Sequence, residues 1–490
     1  MLISAMLLVL LIGSLSAFAT KREVSRVVAL ISAFIAFLIS VMMLLNMDNG
    51  FNHEENISWV SSLGISYHVG VDGLSMPMVL LTTFISLLCV IYAWEERFKA
   101  NQFFGLIILL DFALVGVFCS LDFFLFYIFW EIVLIPMFFV IGIWGGERKD
   151  YSAIKFLIYT HVSSVVMLAG IFAIYHFNWI DTGKATFDIL TLLKNYSSIE
   201  IPQLWKDFIF LALLFGFLVK MPAVPFHTWL PDAHVEAPTV GSILLAGVLL
   251  KMGGYGLLRF LVPMSSNASE FFVLLIAIFG AVSIIYTPFA ALPQKDIKRL
   301  IAFSSIGHMG FVSLGMAAAL MAGDVKYRVL ALSGAGFQLF AHGIITSVMF
   351  GSAGVIQHHV GSRLFEKLGG LMKSMPKFSF LMVIGFFASM GFPGMAGFVA
   401  EFSVLAGALA LMPLFAIIAL ASIPLSIIYH IYALQRSVFG IPKKEYSEAY
   451  FHELLPLLIW VVATVVLGIH PSPVFDMFKD AALSMLEVLK

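Results

Sequence analysis

The chain has 490 residues, 61% of them hydrophobic and only 12% charged, with 28 lysines and arginines against 29 aspartates and glutamates. A soluble domain is nearer about 45–50% apolar and about 25% charged, so this composition excludes an ordinary soluble enzyme, and the near-neutral balance excludes a basic face for nucleic acid. The two cysteines, Cys89 and Cys119, both sit inside apolar runs, which excludes a disulfide framework.

Apolar runs of about 20 residues recur along the whole chain, so the sequence predicts an all-α polytopic membrane protein in a lipid bilayer. A β-barrel would show alternating segments of about ten residues instead. Fourteen spans are predicted: 2–19, 27–46, 74–94, 103–120, 122–142, 154–176, 207–220 continued at 228–235, 239–260, 269–290, 296–320, 329–355, 377–411 with a break, 413–435 and 452–470. The first has the length of a secretory signal. Its positive charges, Lys21, Arg22 and Arg26, follow the apolar run, so it reads as a retained span. The stretch 474–490 places Phe475, Phe478, Ala482, Met485 and Leu489 at helical spacing and reads as an interfacial helix.

Cationic residues in the loops set the orientation. Eighteen of the 28 fall in alternate loops at 21–26, 97–99, 148–155, 295–299, 363–377 and 436–444. Eight fall on the other side: Lys184, Lys194, Lys206, Arg259, Lys326, Arg328, Lys479 and Lys490. The larger set belongs to the cytoplasm, so both termini are expected on the outer face. The loop 47–73 carries Asp48, Glu54, Glu55 and Asp72 but no cation, as an outside loop would.

Two spans are interrupted, one at Lys220-Met-Pro222-Ala-Val-Pro225 and one at Gly391-Phe-Pro393-Gly394-Met-Ala-Gly397. Proline removes a donor and clashes with the preceding turn. Non-helical backbone at that depth is tolerated only under cover of protein or water. The breaks fall in the seventh and twelfth spans, so spans 4–8 and 9–13 read as inverted five-helix repeats. Paired broken helices in corresponding positions point to an ion path. The organisation expected is 1–102, a three-helix segment; 103–260, the first repeat; 261–436, the second; and 437–490, the last span and terminal helix.

Ionisable groups within spans are rare and by default functional candidates. Glu131 lies about nine residues into its span, roughly 14 Å deep at the helical rise. Lys220 ends the first half of span 7; Lys251, His308 and His342 lie mid-span, and Glu401 follows the second break. Such a row at one depth can pass protons laterally. Lysine suits it because, unlike arginine, it can release its proton when buried. Glu131 and Lys220 are the expected ion pair, and the plain alternative is that they only hold spans 5 and 7 together. For His308 and His342 the plain alternative is helix packing. Asp111 and His161 are intramembrane and could feed or cap the path. Asp122 and His430 read as edge or interfacial residues. His227, Asp232, His234 and Glu236 are crowded and irregularly spaced for a metal site, and read as caps of the broken helix. No CxxC, Cys/His cluster or cofactor motif is present, so no metal or cofactor is expected on this chain.

The run from Lys220 to Arg259, KMPAVPFHTWLPDAHVEAPTVGSILLAGVLLKMGGYGLLR, resembles the signature of the antiporter-like subunits of proton-pumping NADH:quinone oxidoreductase, complex I. The resemblance extends to FYIFWEIVLIPMFFVIGIWG at 126–145, DIKRLIAFSSIGHMGFV at 296–312, AHGIITSVMF at 341–350 and GFPGMAGFVAEF at 391–402. It is greatest to the subunit M branch, the NADH dehydrogenase subunit 4 family: position 401 is Glu, where the L and N branches usually carry Lys, and no long lateral helix follows span 14. Family members often have Asn and Gly where this chain has Gly397 and Ala400, which removes a polar side chain at 397 but leaves Glu401 in place.

The resemblance implies that Glu131 modulates Lys220, that Lys251 is the central relay, that His308 and His342 carry the proton on, and that Glu401 ends the path. It implies a proton-translocating membrane-arm subunit with the neighbouring L and N subunits as partners. NADH, FMN, iron–sulfur clusters and quinone would be handled by partner subunits, in a bacterial inner membrane. The alternatives are a subunit of a multisubunit Na⁺/H⁺ antiporter or membrane-bound hydrogenase, and a structural scaffold of the membrane arm.

Overall fold

The computed structural model describes residues 1–48, 50–265 and 270–487. Leu489 and Lys490, counted above with the terminal helix and the outer charges, lie outside them. The N-terminal part runs α1 (Leu2–Ala19), α2 (Arg22–Leu45), β1 (Asn52–Val60), β2 (Ile65–Val71) and α3 (Ser75–Tyr92). A first group follows: α4 (Ala100–Cys119), α5 (Phe123–Ile132), α6 (Leu134–Trp144), α7 (Lys149–Thr182), α8 (Ile189–Tyr196), α9 (Gln203–Lys220), α10 (Trp229–Glu236), then α11 (Thr239–Leu244), α12 (Leu250–Gly256) and α13 (Val262–Met264), which form one continuous span. The second group comprises α14 (Glu270–Ala291), α15 (Ile297–Leu320), α16 (Val325–Val360), the short α17 (Leu371–Ser374), α18 (Pro376–Ser389), α19 (Ala396–Leu411) and α20 (Pro413–Ser437). The chain closes with α21 (Phe451–Ile469) and α22 (Ser472–Glu487).

Among the described residues, twelve helices are long and apolar enough to cross a membrane. The remaining two expected spans are the interrupted ones, α9 with α10 and α18 with α19. The second break is built on Gly391 and Gly394, whose φ angles of +72° and +87° lie in the left-handed region that a side chain disfavours. The two groups share an order of neighbours. In the first, α4 lies against α5 and α6, α6 against α7, and α7 against the broken α9. In the second, α14 lies against α15, α15 against α16, and α16 against the broken α19.

Burial sorts the helices into a core and a lipid-facing shell. The central windows of Thr239–Met264, α15 and α16 are 100% buried, against 33% for α2 and 28% for α20. Apolar side chains occupy both environments, so hydrophobicity cannot separate them. Small residues set how closely the helices pack: Gly280 meets the Gly310 carbonyl and Gly343 meets the Gly247 carbonyl, approaches a side chain would block.

Three features differ from the sequence reading. Residues 52–71, expected as a loop, form an antiparallel hairpin with Glu55 opposite Val69 and Ile57 opposite Tyr67. Its alternation is hidden because the inward Glu55 is polar: the carboxylate is buried and accepts from the Ile3 amide at 3.1 Å and from Ser4 Oγ. The span holding Lys251, read as unbroken, contains two π-helical turns, at Leu245–Leu249 and Leu257–Leu261. The terminal helix α22 turns its apolar face onto protein, with Phe475 against Phe337 and Phe478 against Gly336 of α16.

Candidate functional site

The buried helices carry the ionisable groups, and packing joins four of them. Lys251 lies on α12, directly after the first π turn, where one carbonyl is displaced from the regular ladder. Its Nζ donates to that turn's Ala246 carbonyl and contacts His342 Nδ1 of α16 at 2.7 Å. The His342 ring lies 5.3 Å, centroid to centroid, from His308 of α15. His308 Nδ1 lies 2.9 Å from Glu401 Oε1 of α19, at hydrogen-bonding distance. Lys251, His342, His308 and Glu401 therefore form a row across four helices, all buried.

Donor counting places one proton at the Glu401 end. His430 Nδ1 lies 2.9 Å from the Ser426 carbonyl and must donate to it, so its Nε2 accepts the single hydroxyl proton of Ser389 at 2.9 Å. His308 Nε2, 3.2 Å from the same hydroxyl oxygen, must then donate. His308 Nδ1 and Glu401 Oε1 then share one proton between them, as imidazolium beside carboxylate or as neutral imidazole accepting from the carboxylic acid. A cavity of about 20 Å³ touches Glu401, His308, Ser304 and Tyr429. That is room for a single water.

Glu131 and Lys220 are not paired. The Glu131 carboxylate turns outward to α7, where His161 Nδ1 meets it at 2.9 Å and Ser164 Oγ donates to it. His161 and Ser164 are three residues apart, on one helix face, and together outcompete a lone ammonium. Lys220 Nζ is buried with no hydrogen-bond partner among the described residues. It lies 5.4 Å from the Trp130 ring centroid and 5.9 Å from that of Phe156, at cation–π range.

The remaining candidates divide. Asp111 is fully buried on α4, with neither carboxylate oxygen partnered among the described residues. His161 lies against Glu131, its Nδ1 2.9 Å from Oε2. Asp122 is the N-cap of α5, accepting from the amides of Phe124 and Leu125. His430, read as interfacial, is instead fully buried and tied through Ser389 to the row; its position near the end of a span in sequence hid that its ring packs against Phe386 and Ser389 of α18. His227, Asp232, His234 and Glu236 do not converge: Asp232 pairs with Lys155 at 2.7 Å, Glu236 accepts from the Arg148 amide at 3.0 Å, and His234 stacks on Phe350 at 4.3 Å. Ser389, Ser164 and the Ala246 carbonyl were missed, since an isolated serine or a π turn leaves no signal among apolar residues.

Residues 120–426 match the family described as NADH:quinone oxidoreductase/Mrp antiporter, TM. The chain is 43% identical over 484 residues to "F(420)H(2) dehydrogenase subunit M" of Methanosarcina mazei, covering 97% of this chain and 96% of that one. It is 38% identical to "NADH-quinone oxidoreductase subunit M" of Rhodobacter capsulatus, covering 94% and 90%. Among solved structures, a chain of respiratory complex I from Thermus thermophilus superposes with a TM-score of 0.90 at 27% identity, covering 100% of both chains.

Proposed function

The chain belongs to the NADH:quinone oxidoreductase/Mrp antiporter transmembrane family, and from that premise we propose that it is the M-type, proton-translocating membrane-arm subunit of an NADH:quinone oxidoreductase. The observation that carries the reading is the buried row in which Lys251 contacts His342 and His308 contacts Glu401. A protonated Lys251 donates to His342 Nδ1, and His342 faces the His308–Glu401 pair. Redox chemistry takes place on partner subunits, with NADH, FMN, iron–sulfur clusters and quinone bound there. The neighbours are the L- and N-type antiporter-like subunits. The chain crosses a prokaryotic plasma membrane with both termini outside.

Glu131 and Lys220 form the gate in this reading. When the carboxylate leaves His161 and approaches Lys220, it stabilises the ammonium; when it swings back, as in the geometry described here, Lys220 loses that support and its proton moves toward Lys251. Glu401, where the resemblance gives the L and N branches lysine, makes this end of the row an acceptor.

The test is Lys251→Met in the assembled complex. Donor-driven proton translocation in membrane vesicles is expected to fall at least about tenfold, in line with loss of a proton-transfer group. Normal translocation by an assembled Lys251→Met complex would sink the relay. A scaffold predicts lost assembly with pumping per complex intact. The likeness to an F(420)H(2) dehydrogenase subunit favours a second reading that differs only in the donor; the donor oxidised by the co-purified complex decides between them.

A further inference from the structure

A second cluster lies where α16 ends and α21 begins, away from the row. His358 and His359 are the last histidines of α16, and Glu453 is in the first turn of α21. His358 Nδ1 sits 2.8 Å from Glu453 Oε1, and His359 Nε2 sits 2.8 Å from Glu453 Oε2. The three ligand-type atoms all fall within 4.8 Å of one another. Glu453 and His359 are almost fully buried, with side chains 3% and 4% exposed, while His358 at 52% opens to solvent. Beside it lies a cavity of about 640 Å³, lined also by Glu95, Glu96, Arg97 and His452.

We propose that His358, His359 and Glu453 form a three-ligand site for a zinc-class divalent transition ion, with the fourth position open to the acid-lined cavity. The donor set is two imidazoles and a carboxylate, which suits Zn²⁺ and not the all-oxygen preference of Mg²⁺ or Ca²⁺. At zinc bond lengths, tetrahedral ligand atoms stand about 3.3 Å apart. The present separations bracket that value, so small side-chain rotations admit the ion. Each imidazole needs only to move its proton to its other ring nitrogen. For His359 the receiving group is already in place: Ser447 Oγ lies 3.2 Å from Nδ1, and a ligating histidine is normally oriented by such an outer partner. The carboxylate is fixed as well, since Glu453 Oε2 accepts from the Tyr450 amide at 2.9 Å. Glu95 and Glu96 outnumber Arg97 in the lining and leave the approach net negative.

The plain alternative is a hydrogen-bonded clamp between α16 and α21, and binding separates the two. Purified complex is equilibrated with chelator-buffered Zn²⁺, and bound zinc is counted in wild type, His358→Gln and His359→Gln. Glutamine still donates to Glu453, so the clamp survives, and co-purification of the partner subunits confirms assembly. The expected result is one more zinc per wild-type complex than per variant, with affinity at the site falling more than about tenfold, since losing an outer-shell partner alone costs about 10–100-fold. X-ray absorption of the extra ion should show imidazole and oxygen ligands. Equal zinc content and affinity in wild type and both variants, or sulfur in the first shell, would overturn the site. Neither readout uses proton pumping, so failure here is distinct from failure of the proposed function.

Discussion

At the scale of single residues, the row depends on which side chains stand in it and which beside it. Ser389 touches both His308 and His430, yet no step from Lys251 to Glu401 passes through it. Ser389→Ala leaves two buried imidazole nitrogens unsatisfied, a stability cost of about 1–3 kcal/mol, and translocation per assembled complex should stay near wild type. His308→Ala interrupts the row, and the same vesicle assay should show a loss of at least about tenfold. If Ser389→Ala proves as damaging as His308→Ala, the path runs through His430. Glu131 gives the second residue-scale contrast. Glu131→Gln keeps two hydrogen-bonding atoms for His161 and Ser164 but can never hold an ammonium, so it should assemble normally and translocate poorly. Unchanged translocation in Glu131→Gln would remove the gate while leaving the Lys251 row standing.

At the scale of elements, the hairpin and the Lys251 span are tied by one buried pair. Asp72 follows β2 and accepts from the Leu74 and Ser75 amides at the start of α3. Arg259, in the second π turn, donates to it through both terminal nitrogens, Nη1 at 2.8 Å. Burial pushes the Asp72 carboxyl up, but the charge and hydrogen bonds of Arg259 outweigh it and hold the group below its ordinary value of 3.8. Because the folded value is depressed, the contribution is fully present above pH 3.8 and is lost only as pH falls through the folded value, so the tie is constant across neutral pH. Asp72→Ala leaves a buried guanidinium uncompensated and should destabilise by about 3–5 kcal/mol. That would be read as a lowered thermal midpoint of the purified complex and faster hydrogen exchange across residues 52–71. Asp72→Leu with Arg259→Met should recover much of it. A midpoint unmoved by Asp72→Ala would show that the hairpin does not depend on this pair.

The spans and both breaks were legible in the sequence because bilayer thickness fixes run length and proline and glycine mark interruptions. The hairpin was not, because its inward Glu55 breaks the period-2 signal, and its partners Ile3 and Ser4 lie some fifty residues away. Lys251, His342, His308 and Glu401 were legible as residues out of place in hydrocarbon. The resemblance gave Lys251 and Glu401 as the two ends, but that His342 adjoins Lys251 and His308 adjoins Glu401 was not legible, since adjacency across α12, α16, α15 and α19 is set by small-residue packing between helices. The partner of Glu131 was misread for a related reason: opposite charge suggested Lys220, whereas the geometry of α7 offers two donors at once.

At the scale of the whole molecule, the two ends of the ionisable set meet different surroundings. The Glu401 end is enclosed, beside a one-water cavity. The Glu131 end is open: the His161 side chain is 54% exposed and that of Glu131 is 24% exposed. Around them α7 presents Ile158, Val162 and Val165, each about half exposed. A charged group facing hydrocarbon costs roughly 3 kcal/mol on insertion scales, so this face is unfavourable against lipid and favourable against a protein with polar groups at the same depth. Other outward helices, such as α2 and α20, turn no such groups outward in mid-span, His430 of α20 being buried, and suit lipid as they stand. A photo-crosslinking side chain at Val162 should therefore capture another membrane subunit of the assembled complex, and one at Ile31 of α2 should capture chiefly lipid. Lipid adducts alone at Val162 would place the Glu131 gate at the edge of the assembly, where no neighbour could move it. In that case the opening and closing of Glu131 on Lys220 would have to be driven from within the chain, through α5 and α7.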